Sequence, residues 1–140
     1  MQESDLELII AKTQSLVSRD LNLDRTNFVN SMLIFSTRHH FYVTMLMNEK
    51  IKVEKLEQDL VIVKSLARNS YRQSKGARVA ITKKEEDDLL IESDTRVFEL
   101  TREINLRKRF IEYLTEVSKI FASQKYVFTA IKDMLKIEGS

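Results

Sequence analysis

The chain contains no cysteine, no proline and only two glycines, Gly76 and Gly139. Without cysteine there are no disulfides, no thiol catalysis and no thiolate metal sites, a composition that suits a cytoplasmic protein. Proline is the strongest interrupter of helices, and glycine supplies the tight turns that hairpins need. An all-β domain of this size would need many such turns, so the scarcity of both residues predicts long helices with very few connections. It also excludes glycine-rich phosphate loops, since the Walker and dinucleotide fingerprints need closely spaced glycines. The longest apolar runs are a handful of residues, such as Leu60-Val61-Ile62-Val63, too short for a bilayer span. No basic start followed by an apolar stretch opens the chain, so no secretory signal is expected.

What is present fits a folded chain. Of 140 residues, 43% are hydrophobic and 31% charged, with 23 basic and 21 acidic residues and a net charge of +2. That is too apolar for disorder, and the length suits one domain or one subunit of an assembly.

Hydrophobic spacing predicts three helices. Ser4-Asp5-Leu6-Glu7 has the form of a capping box, followed by a stripe of Leu6, Ile9, Ile10, Leu16 and Val17. Residues 19–25 read as a polar connection. From about Thr26 a second track repeats at intervals of three and four: Phe28, Met32, Phe35, His39, Tyr42 and Leu46, then a polar slot at Glu49, then Val53, Leu56, Leu60, Val63 and Ala67. This is a coiled-coil-like seam on a helix of about 40 residues, roughly 60 Å long. One subunit is too small to bury both sides of such a rod. A last helix is predicted over about 95–137. It carries one track of Leu106, Phe110, Tyr113, Val117, Ile120, Val127, Ile131 and Met134, with Gln124 in its gap. A second track of Leu114, Phe121, Phe128 and Leu135 runs beside it. Two adjacent seams make a stripe wide enough for more than one neighbour. Phe110, Leu114, Val117, Phe121, Phe128, Ile131 and Leu135 are therefore the candidate oligomerisation residues.

The expected architecture is all-α: a short N-terminal helix and two long helices, joined by a basic loop or short strand, assembling as a helical homo-oligomer. By role the chain divides into a nucleic-acid-binding region, 1–94, and an oligomerisation helix, 95–140.

Charge is unevenly placed. Residues 60–84 hold seven basic side chains and no acid, whereas residues 85–94 hold six acids and no base. Lys64, Arg68 and Arg72 recur at four-residue intervals and so share one helical face. Lys75, Arg78, Lys83 and Lys84 continue the run. Cations one turn apart can each meet a backbone phosphate and release condensed counterions. Tyr71 can stack on a base, a contact that tolerates any sequence. The alternative is a solvated basic face paired with the acids of residues 85–94.

Catalytic and metal chemistry find little support. His39 and His40 are consecutive and point about 100° apart on a helix, poor geometry for a shared metal, and a packed histidine is the expectation. Glu85, Glu86, Asp87 and Asp88 form one run rather than carboxylates gathered from separate elements, and read as a solvated helix start. No catalytic constellation, cofactor or metal is expected.

At residues 66–76 the sequence Leu-Ala-Arg-Asn-Ser-Tyr-Arg-Gln-Ser-Lys-Gly resembles the Lys-Ala-Arg-centred motif of the UvsY-like recombination mediators of T4-like phages. Arg68 matches the motif's arginine, and Leu66 stands where the motif has its lysine. Residues 23–27, 32–36 and 130–134 are similar to further stretches of that family, with comparable spacing. The resemblance implies a non-enzymatic homo-oligomer, a hexamer or heptamer ring. It would bind single-stranded DNA and load a RecA-like recombinase onto DNA coated by the phage single-strand binding protein, in the cytoplasm of the infected bacterial host. Two other readings stay open: a coiled-coil scaffold without a DNA role, and a metal-dependent nuclease using Asp87 and Asp88.

Overall fold

The protein, described from a computed structural model, is all-α over residues 3–21, 28–75 and 94–138, with side chains described for 3–21, 30–70, 94–134, 136 and 137. Helix α1 runs Glu3–Asp20, α2 runs Phe28–Lys75 and α3 runs Thr95–Glu138. Helix α1 begins one residue ahead of Ser4, so Ser4 lies inside the first turn and not at the cap position its sequence context suggested. Helix α2 has 48 residues, longer than its apolar track predicts, because the polar segment after Ala67 contains no helix breaker before Gly76. The stretch expected to form a basic loop or short strand lies outside the described residues.

Contacts divide the chain into two compact units, one of residues 1–48 and 110–140, the other of residues 49–109. Each takes part of α2 and part of α3, so packing does not follow the division by role at residue 94.

In the first unit α2 and α3 run antiparallel, with Phe35 against Phe128 and Tyr42 against Phe121. Phe35, Tyr42, Leu46, Phe110, Leu114, Val117, Phe121 and Phe128 form its core, joined by Val17 of α1. The rings of Phe35 and Phe128 meet edge-on at 5.0 Å, and those of Tyr42 and Phe121 stack at 5.3 Å. Both geometries suit the ring quadrupoles. His39 lies half-buried and stacks on Phe121 at 5.9 Å, in a packing role. A polar latch holds α1. The Tyr42 hydroxyl donates to Asp20 Oδ2 at 2.7 Å, and Arg38 Nη1 donates to the Asp20 carbonyl at 2.9 Å.

The second unit is again an antiparallel pair. Val53, Ala67, Val97 and Ile104 are buried, with Leu60 and Val63 packed against Ala67 and Val97. The polar slot at Glu49 is filled across the helix pair by Arg107, which is also buried. Helix α3 is capped by Asp94, whose Oδ1 accepts from the backbone N–H groups of Arg96 and Val97.

Candidate nucleic-acid interface

The continuity of α2 through Lys75 decides how the basic residues stand to one another. At 100° per residue, positions 64, 68, 72 and 75 fall within about 80° of one another, so the four cations occupy one face of one helix. Ala67 sits at the edge of that face and is buried against Val97. The stripe therefore runs alongside the packed seam, on a backbone held by the second unit's core. Lys64 and Arg68 are half-buried, and Asn69 and Ser70 are exposed. Long cationic side chains in such a position lay their methylenes along apolar surface and keep the charged head in water. Of Tyr71, Arg72 and Lys75 the helical backbone is described and the side chains are not. Arg78, Lys83 and Lys84 lie outside the described residues.

Most of the acids predicted to compete with this face, residues 85–92, also lie outside the described residues. Asp94 is described, and its ion-pair partner is Arg96, at 3.4 Å. Partial burial pushes the Asp94 carboxyl up, and the hydrogen bonds from the Val97 N–H and from Arg96 outweigh it, holding the group below the usual carboxylate range. Its charge is thus spent on the start of α3.

Sequence reasoning missed one cationic element of the second unit. Arg102 lies over the ring of Phe98, 5.4 Å from the centroid, one turn apart on α3. Phe98 is itself exposed. An arginine on an exposed aromatic face has the composition of a base-stacking platform. The signal was the spacing of four between Phe98 and Arg102, in a helix read for its apolar tracks.

Phe110, Leu114, Val117, Phe121 and Phe128 are all buried in the first unit's own core, and Ile131 is half-buried. The backbone of Leu135 is helical and its side chain is not described. The large apolar residues that α3 leaves exposed in the first unit are different ones: Ile120, Val127 and Met134, at seven-residue intervals, with Tyr126 and Ile137. The track written as one seam thus splits. Phe110 and Val117 turn inward with Leu114, Phe121 and Phe128, Ile120, Val127 and Met134 face out, and Ile131 is half-buried between them.

Among the described residues no group of three or more histidine or acidic side chains could hold a metal ion, and no helix is long and apolar enough to cross a membrane.

No protein-family model and no curated protein sequence matches the chain. Solved structures do. A crystal structure of the bacteriophage T4 recombination mediator protein UvsY, in its lattice type IV, superposes with a TM-score of 0.76 over 92% of this chain and 98% of that one. The lattice type II structure gives 0.74 over 100% of this chain and 99% of that one. This chain has the UvsY fold. Sequence identity is 16% in both alignments, so the likeness is one of fold, over nearly the whole of both chains.

Proposed function

We propose that the protein is a recombination mediator: a non-enzymatic homo-oligomer that binds single-stranded DNA and promotes loading of a RecA-like recombinase onto DNA coated by single-strand binding protein. The observation that carries this reading is the UvsY fold over nearly the whole chain, in a protein whose α2 carries Lys64, Arg68, Arg72 and Lys75 along one face. Each subunit offers a modest cationic stripe with Tyr71 beside it, extended in sequence by Arg78, Lys83 and Lys84. Several stripes tethered in one ring act on one strand at high effective concentration, so weak sites sum to tight binding. Assembly through α3 uses its outward residues Ile120, Val127 and Met134, because the inward ones are already packed. The protein acts in the cytoplasm of a phage-infected bacterium.

The test is single-strand DNA binding at two salt concentrations, for the parent chain and for the Arg68→Ala, Arg72→Ala double variant. Two lost phosphate contacts should lower affinity and flatten the salt slope by about 1.4, at roughly 0.7 per contact for single strands. An unchanged affinity and slope, in a variant of unchanged oligomeric mass, would overturn the site. A parent chain that does not retain DNA at moderate salt would favour the scaffold reading.

A further inference from the structure

Helix α3 carries a second cationic stripe in the second unit. Phe98, Arg102, Asn105 and Arg109 are spaced by four, three and four, so they fall within about 60° of one another, and all of them are exposed. The guanidinium of Arg102 lies over the Phe98 ring, which is 43% exposed. The acids of this span, Glu99 and Glu103, sit about 90° and 130° round the helix from the centre of the stripe. Glu103 is turned to Arg107. Three turns of helix thus present two arginines, an amide and an aromatic ring, with no acid among them.

This stripe lies on the same flank of the helix pair as Lys64 and Arg68. Lys108 Nζ reaches Glu57 Oε1 at 2.8 Å and joins α3 to α2 on one side of their packed seam. On α2, Glu57, Val61, Lys64 and Arg68 are again spaced by four, three and four and share that side. On α3, Lys108 stands between the buried face of Val97, Ile104 and Arg107 and the stripe. Val97 packs against Ala67, so Phe98 comes level with Arg68. From that level the two helices run in opposite directions. The α2 cations continue through positions 72 and 75, and before Lys64 their face turns to Val61 and Glu57. There α3 takes over with Arg102 and Arg109. The two stripes follow each other along one flank for about 30 Å, at 1.5 Å per residue.

We infer that the Phe98–Arg109 face of α3 is a second contact for the same DNA single strand, in which Phe98 stacks on a base and Arg102 and Arg109 meet phosphates. The inference rests on the function proposed above and gives it a path, from the α2 stripe onto α3. Chemistry selects the occupant. Phosphates match the arginines, and stacking on an exposed ring is open to any unpaired base. A duplex keeps its base faces inside its own stack, and an acidic peptide would use the arginines alone.

The chain has no tryptophan, so Phe98→Trp places its only indole at the contact. The emission of that variant should be quenched on titration with oligo(dT), in step with binding. The same strand without bases should leave it unchanged, as should poly-glutamate of equal charge. Phe98→Ala should weaken oligo(dT) binding at least about fivefold and keep the salt slope, because stacking releases no counterions. Arg102→Gln with Arg109→Gln should flatten that slope by about 1.4. All these variants should keep parental helicity and parental mass by light scattering. Unchanged emission and affinity, in a chain whose DNA binding still depends on Arg68 and Arg72, overturns the second contact alone. A parent chain that binds no DNA overturns the proposed function with it. Equal quenching by poly-glutamate or by the abasic strand overturns the stacking, and so does a fall in mass of Phe98→Ala, which would assign the ring to assembly.

Discussion

Arg107 Nη1 reaches both carboxylate oxygens of Glu49, at 3.1 and 2.8 Å, and joins two helices whose other contacts in that unit are mostly apolar. Both side chains are buried, with Glu103 and Lys52 adding contacts at 3.4 Å. A charged pair inside an apolar seam fixes which turn of α2 meets which turn of α3, because any slip breaks the contact between the two buried charges and leaves each to its longer contact on its own helix.

Removing one partner should therefore cost more than removing both. Arg107→Met is expected to destabilise the protein by about 3–5 kcal/mol, since it strands the Glu49 carboxylate. Adding Glu49→Leu should recover most of that loss. Thermal unfolding followed by circular dichroism measures both. A single variant as stable as the parent would show that the pair carries no register information.

The two apolar tracks of α3 should separate fold from assembly. Phe121→Ala, at a fully buried ring packed on Phe35, His39 and Tyr42, should lower stability by about 3–5 kcal/mol. Val127→Glu with Met134→Glu should leave helicity and melting nearly unchanged and reduce the mass seen by light scattering. A double variant of parental mass would remove the outward track from the assembly.

The Asp20–Tyr42 hydrogen bond should be readable from the alkaline side. Burial, then the hydrogen bond and charge of Asp20, push the Tyr42 phenol well above its ordinary value near 10. A group whose folded pKa is raised contributes stability that is full below the unfolded value and is lost as pH rises beyond it. Stability should thus hold to about pH 10 and fall above it. Tyr113, raised by burial, adds in the same direction. Tyr42→Phe should cost about 1–2 kcal/mol at neutral pH, weaken hydrogen-exchange protection in α1 and shallow the alkaline fall. An unchanged alkaline profile would place the effect elsewhere.

Asp94 has the opposite sign. Its depressed carboxyl contributes stability above the unfolded value near 4, lost as pH falls through the lower folded value. Asp94→Ala should cost about 1 kcal/mol and fray the first turn of α3, and Asp94→Asn should restore most of the cap at neutral pH. Melting curves at pH 7 and pH 3 check this. The difference between parent and Asp94→Asn should shrink at the lower pH.

Much of the architecture was legible before any coordinates. In a chain with no proline, the spacing Phe35, Tyr42, Leu46, Val53, Ala67 admits one reading, and those residues are the buried face of α2. The start of α3 near Thr95 was legible too, from the acids before it and the apolar period after it. The basic run was legible as charge, since charge is additive along a sequence.

Periodicity determines which residues of a helix share a face, whereas only packing decides what that face meets. Sequence alone therefore marked a polar slot at Glu49 and could not name Arg107, 58 positions away, as the group that fills it. It showed two apolar tracks on α3, and only the fold decided that Phe121 and Phe128 turn inward while Val127 and Met134 stay exposed. Adjacent tracks differ by one residue, about 100° of rotation, and spacing alone leaves that rotation free. The neighbouring helix removes the freedom by burying one side.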